Sequence, residues 1–254
     1  MGAKNDAGGD GMRFNGKSPS EISPKIFVSH EVISPIPPRT VRLVSTARQS
    51  FLGGVNLDPR DVHLHLNFAG RSIENANELS RLAARLFCTD YEAEYEPTHM
   101  PGLALSVILE SASAPEWHWG FGVIEYTFKA PRPFYHSVAE TVLNGTDSIY
   151  MDPHGSVPCR PVIRHVMAAA ANALVISVGA NPVMRIRNPL GMQLPIGLVA
   201  EVDFTRRLLN INGLPAMTYV DYTASDWAPN IIGSTVLQIS DEGQTMVRWR
   251  DEWM

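Results

Sequence analysis

From Pro161 onward, short apolar runs recur about every ten to fifteen residues, each cut off by glycine, proline, asparagine or a polar cluster. Pro161–Val166, Ala173–Val178, Met184–Asn188, Gly197–Asp203, Arg207–Ile211 and Tyr219–Thr223 read as strands, and two more close the chain between Trp227 and Met254. That rhythm predicts a β-sandwich or jelly roll. Asn212-Gly213 is a strong hairpin turn signal between two of these strands. Asp241-Glu242-Gly243 turns the chain into a last strand in which Val247 and Trp249 alternate with Met246, Arg248 and Arg250.

The first half is also strand-rich, but it contains one change of period. Lys25–Ile33, Thr40–Ser45 and Phe51–Val55 read as strands, separated at Ser34–Pro38 by prolines that cannot donate to a sheet ladder. Val62, Leu64, Leu66 and Phe68 then alternate strictly with His63, His65 and Asn67, so one face of this strand is core and the other polar. Next, Ile73, Ala76, Leu79, Leu82, Ala83, Leu86 and Phe87 form a stripe of period 3.6 behind Ser72, a suitable cap, which predicts one amphipathic helix. Strands resume at Leu103–Glu110 and, after a break at Ser111–Pro115, at Trp117–Phe128. The latter reads as one long aromatic strand with Gly120 and Gly122 as bulge or close-approach positions. Pro131 and Pro133 end it, and a domain boundary is expected near residues 136–146.

Length and composition narrow the function classes. A chain of 254 residues with 44% hydrophobic content builds one large or two ordinary cores. A net charge of −5 gives no overall basic field for nucleic acid, and no apolar run approaches the roughly eighteen residues a membrane helix needs. Neither nucleic-acid sequence recognition nor membrane insertion is expected. Met1–Gly11 lacks the apolar segment of a secretory signal and reads as a flexible leader, with Met12 as an alternative start. Cys88 and Cys159 have no CxxC spacing and are expected to be free, buried thiols.

Side chains that carry chemistry are sparse. His63 and His65 share one strand face, as a metal site requires, but no neighbouring Asp, Glu or Cys in the sequence completes a ligand set, so a polar strand face accounts for them. Asp152-Pro-His-Gly155 and Asp226 are explained by turn chemistry. There is no Gly-x-Ser-x-Gly elbow, HExxH, P-loop or dinucleotide fingerprint. No catalytic, cofactor-binding or metal-ligating residue is assigned and no cofactor is expected, but missing motifs do not by themselves exclude an enzyme. Trp117 and Trp119 share a strand face, as do Trp249 and Trp253, and are read as core or interface aromatics before sugar platforms.

The order of these parts resembles the distal tail protein family of long-tailed bacteriophages. The resemblance runs through Met12–Gly16, Pro37-Pro38-Arg39, Leu57–Leu66, the helix Ile73–Phe87, Lys129–Tyr135, Pro161–Arg164, Asn188–Gly191, Val202–Gly213 and Val247–Trp253. It covers nearly the whole chain, in order and spacing more than in any single motif.

The resemblance implies a mainly β protein in two domains behind a leader at 1–11. Residues 12–140 would be a ring-forming amino-terminal domain with one helix, and residues 141–254 a galectin-like β-sandwich. It implies a non-enzymatic homo-hexamer at the distal end of the virion tail, joining the tail tube protein to the tail-tip or baseplate hub protein, and assembled in the host bacterial cytoplasm. Ser34–Arg39 and Ser111–Glu116 are the expected inter-subunit arms. Family members that carry added carbohydrate-binding modules are longer than this chain. The alternative from another class is a carbohydrate-binding receptor module using Trp117 or Trp227; a third is a hydrolase with an unrecognised site.

Overall fold

The computed structural model describes residues 11–34, 36–45, 50–70, 72–118 and 121–254. All of the expected leader except Gly11 therefore lies outside the described residues, as do Trp119 and Gly120. Contacts divide the chain into two compact units, Met1–Val138 with Met254, and Ala139–Trp253. Both are mainly antiparallel β-structure.

The first unit runs β1 (Arg13–Phe14), α1 (Pro19–Ile22), β2 (Ile26–Ile33), β3 (Arg39–Ser45), β4 (Ser50–Leu57), β5 (Arg60–Ala69), α2 (Ile73–Phe87), β6 (Ala93–Glu96), β7 (Leu103–Ala112), β8 (Glu116–His118), β9 (Phe121–Ala130) and β10 (Tyr135–Ser137). The main sheet has the order β1-β6-β7-β9-β5-β2, with β8 added on β9 and β10 on β7. Its spine is the β5–β9 ladder, which stays in register from Arg60↔Ala130 to Ala69↔Phe121. The alternation expected for β5 is met: Val62, Leu64, Leu66 and Phe68 are fully buried, and the residues between them are half-exposed.

Helix α2 covers that buried face, over the bounds expected for it. Ser72 Oγ accepts the Asn75 N–H at 3.2 Å, so the cap read in the sequence is made. Ala76, Leu79, Ala83 and Phe87 are buried, and the Phe87 ring stands 5.1 Å from both Phe14 and Tyr126. Edge and tilted ring contacts of this kind favour aromatic packing beyond simple area burial. The short α1, started by Ser18 and Pro19, is a helix that periodicity did not reveal.

One expectation is corrected here. Trp117–Phe128 is not one strand: β8 folds back on β9, pairing Glu116↔Val123, Trp117↔Gly122 and His118↔Phe121. The aromatic alternation ran straight through the reversal and concealed it. Gly122 is indeed a close-approach position, because a Cβ there would meet the Trp117 ring at 2.0 Å.

The second unit runs β11 (Thr141–Gly145), β12 (Ser148–Met151), β13 (Val162–Val166), β14 (Leu174–Val178), β15 (Asn181–Ile186), β16 (Val199–Asp203), β17 (Leu208–Ile211), β18 (Leu214–Pro215), a 3₁₀ turn (Met217–Tyr219), β19 (Thr235–Ile239), β20 (Gln244–Trp249) and β21 (Glu252–Trp253). Two sheets form the sandwich that the sequence rhythm predicts, β11-β20-β13-β16-β17-β18 and β12-β19-β14-β15. Ile163, Val202, Leu209 and Val247 of the first sheet and Leu174, Ile176, Met184 and Leu237 of the second belong to one buried cluster. Asn212 (φ 52°) and Gly213 (φ 81°) occupy the left-handed region that a tight hairpin turn between β17 and β18 requires.

Tyr219–Thr223 is a second correction. It is the end of the 3₁₀ turn followed by a loop, with Val220 making a single bridge to Ile186. Asp221 explains the difference: its Oδ1 accepts from the Thr223 N–H and hydroxyl, which locks a local turn. Cys88 also departs from expectation, being exposed, whereas Cys159 is buried and both are free.

The turn before β20 is tied down by Asp241. Its carboxylate accepts the N–H groups of Ala168 (2.7 Å), Ala169 (3.1 Å) and Gly243 (3.0 Å), and His165 Nε2 donates to it at 3.0 Å. His165 Nδ1 lies 2.8 Å from Thr245 Oγ1, which donates to the Thr146 carbonyl at 2.5 Å. Burial acts to raise the Asp241 pKa, but these hydrogen bonds win and hold it below the usual carboxylate range. Gly243 has no room for a Cβ, which would meet the Val166 carbonyl oxygen at 1.8 Å.

Two predictions follow from the packing. Asp241→Ala leaves three N–H groups without their acceptor and should cost about 2–3 kcal/mol, lowering the melting temperature by roughly 10 °C, with Gly243→Ala destabilising through the backbone clash. Because the folded pKa of Asp241 is depressed, its contribution is complete above the unfolded value near 4 and is lost as pH falls through the folded value. Thermal melts of parent and Asp241→Ala should therefore converge in strong acid. The second concerns Arg60, which is fully buried with its guanidinium 4.7 Å from the Tyr135 ring centroid and with Nε, Nη1 and Nη2 making no geometric hydrogen bond among the described residues. Arg60→Met should leave stability unchanged or raise it by about 1–3 kcal/mol in denaturant melts, since an apolar chain removes a desolvation cost that the Tyr135 ring offsets only in part.

Candidate assembly surfaces

Parts of the surface are left unsatisfied by the fold itself. Strands β3 and β4 form such a surface. They pair from Arg39↔Leu57 to Ser45↔Ser50, with an irregularity between Arg42 and Leu43, and neither joins another sheet among the described residues. A lone two-stranded ribbon is marginal in water. Its base is pinned by Asp58, whose N–H donates to the Pro38 carbonyl at 2.9 Å and whose Oδ2 accepts from Thr40 Oγ1 at 2.6 Å.

The approach to the ribbon is apolar and exposed. Val32, Ile36 and Val41 are 44%, 61% and 53% exposed, so the Ser34–Arg39 arm, whose Pro35 lies outside the described residues, leads into an uncovered surface. Strand β2 is also a sheet edge, paired only with β5 among the described residues.

Ser111–Glu116, by contrast, is not a free arm. Ser111 and Ala112 continue β7 opposite Thr127 and Tyr126, Ser113 exchanges hydrogen bonds with the Glu125 backbone, and Glu116 starts β8.

The second unit presents a different surface. In the connection after β15, Leu190, Met192 and Ile196 are 78%, 57% and 69% exposed, while Leu194 between them is fully buried. Leu194 exchanges backbone hydrogen bonds with Ala171, and the Gly197 N–H donates to the Met167 carbonyl, so the segment is held in place while its apolar side chains face outward.

The residues weighed for chemistry are placed as follows. His154 Nε2 lies 3.8 Å from Asp152 Oδ2, both well exposed, and Asp152 Oδ1 accepts from Ser234 Oγ. Asp226 accepts the Ala228 N–H and is a turn residue. Trp249 is in the core and its Nε1 donates to Asp251, while Trp227 packs 6.0 Å from Phe204. Trp249 thus offers no platform for sugar stacking, whereas Trp117 and Trp227 are half-buried.

His63 and His65 do share the polar face, and the fold brings Glu125 of β9 to them. Glu125 Oε1 is 3.2 Å from His63 Nδ1 and 3.9 Å from His65 Nε2. The sequence concealed this neighbour because only the β5–β9 register joins the two segments. No group of three or more His, Cys, Asp or Glu among the described residues encloses a metal position as the side chains stand.

No family model matches the chain, and no curated protein matches it. Solved structures do. The Dit protein (gp 19.1) of phage SPP1, described as a paradigm of the hub adsorption apparatus in phages infecting Gram-positive bacteria, aligns over 96% of this chain and 98% of its own, with a TM-score of 0.76 and 15% identity. Chains from the phage P2 baseplate in its activated conformation, with Ca and with Sr, align over 89% of this chain and 90% of theirs, with TM-scores of 0.50 and 0.51 and identities of 7% and 9%. The chain therefore shares, over nearly its full length, the fold of SPP1 Dit.

Proposed function

We propose that the protein is a structural distal tail protein of a long-tailed phage or phage-like particle, located at the distal end of the tail. The observation that carries this reading is the fold likeness to SPP1 Dit, which spans both units and leaves only a few per cent of either chain unmatched. A shared single domain would be weak support, because folds are reused for many purposes. A shared two-unit arrangement along the chain is more restrictive.

In this reading, residues 12–140 form a hexameric ring and residues 141–254 lie on its periphery. The ring joins the tail tube to the tail-tip or baseplate hub, and the subunits are made in the host cytoplasm. A closed cyclic ring uses a heterologous interface, in which each subunit offers two different surfaces. The β3–β4 ribbon and the apolar approach at Val32, Ile36 and Val41, which runs into the edge strand β2, supply one such surface. The role requires no catalytic group.

Native mass measurement and negative-stain images of the purified chain, alone and with tube or hub proteins, test this directly. The expected result is a six-fold ring with a central hole; a monomer under every one of these conditions overturns it. Replacing residues 41–56 by a short Gly-Ser link between Thr40 and Leu57, which lie at the base of the ribbon, should abolish the ring while both units keep their melting transitions.

A further inference from the structure

The polar face of the β2–β5–β9 sheet brings together imidazoles that nothing in the tail-hub reading uses. His30 on β2 is the register partner of His65 on β5, and His65 is the register partner of Glu125 on β9. His63 lies on the same face, two residues before His65. The His30 and His65 ring centroids are 5.6 Å apart. Three adjacent strands thus place three imidazoles and one carboxylate together, half in solvent, with His63, His65 and Glu125 side chains 40%, 33% and 40% exposed.

We propose that this face binds a divalent transition metal of the zinc class through His63, His65 and Glu125, with His30 positioned as a fourth ligand. Tetrahedral zinc, with bonds of about 2.0–2.2 Å to nitrogen and oxygen, sets neighbouring donor atoms about 3.3–3.5 Å apart. Glu125 Oε1 already stands 3.2 Å from His63 Nδ1 and 3.9 Å from His65 Nε2, on either side of that spacing. Closing the site requires the rings to turn, since the donors do not enclose a metal position as they stand. Both rings are free of the core, so rotation displaces no buried packing.

A pair of histidines two apart on a strand is a rigid chelate, because the strand fixes both side chains on one face. Thr127 Oγ1, 3.4 Å from His63 Nδ1, and Asn67, held by Ser29 Oγ, furnish polar neighbours for the ligands. Imidazole donors select zinc, nickel or cobalt over calcium and magnesium, which prefer all-oxygen shells. The inference stands independently of the tail-hub reading, because it uses only the face of one sheet.

The test is calorimetric titration of the untagged full chain with Zn²⁺, together with Co²⁺ visible spectra, which report tetrahedral coordination. One ion per chain is expected, with a tetrahedral cobalt spectrum and no response to Ca²⁺. His63→Ala, His65→Ala and Glu125→Gln should each weaken Zn²⁺ binding at least about tenfold with unchanged circular dichroism. His118→Ala and His154→Ala, which alter exposed histidines elsewhere, should leave it unchanged. No saturable Zn²⁺ binding up to about 100 μM, or equal binding by parent and Glu125→Gln, overturns the proposal.

Discussion

The unbroken β5–β9 ladder is the element on which the first unit depends. Because side chains alternate across a strand, one register decides two things at once. It sends Val62, Leu64, Leu66 and Phe68 under α2 with Ile124, Tyr126 and Phe128, and it sends His63, His65, Glu125 and Thr127 to the other face. A slip of one residue would exchange the two sets. The aromatic cluster of Phe14, Phe87, Tyr126 and Phe128 is therefore the condition for the polar cluster on the reverse side.

The second unit has a different organising contact. Its two sheets share a large apolar interior, but the turn leading into β20 is set by one carboxylate that accepts four donors from three parts of the chain. The carboxylate replaces backbone partners that loop N–H groups would otherwise lack. Gly243 belongs to the same solution, since the chain passes against the Val166 carbonyl too closely for any side chain.

Much of the architecture is readable from period and punctuation. Strand β5, helix α2 with its Ser72 cap, and the Asn212-Gly213 turn each follow from local chemistry alone. Failures occur where the pattern is polar or continuous. Strand β11 overlaps the boundary expected at 136–146 and β12 lies just beyond it; each carries only two or three apolar residues on either side of the polar run Asn144–Ser148. The β8–β9 reversal was hidden by unbroken aromatic alternation, and Tyr219–Thr223 was strand-like in composition but governed by an Asp221 turn. The Glu125 neighbour of His63 and the Asp241–His165 contact are hidden for another reason: each joins residues more than sixty apart in sequence, which only register and packing bring together.

One pairing in the second unit bears on how the protein is made. Strand β11 opens the unit and lies against β20, near its end, with Thr141 opposite Trp249. The pairing of Thr141 with Trp249 joins residues more than a hundred apart, so the six-stranded sheet is complete only when the end of the unit is available. Chains cut short before β20 would lack both the partner of β11 and the Thr245 hydroxyl that meets the Thr146 carbonyl. Such chains would present an unpaired strand edge at β11. Closure of this unit therefore draws on nearly its whole length, from Thr141 to Trp249.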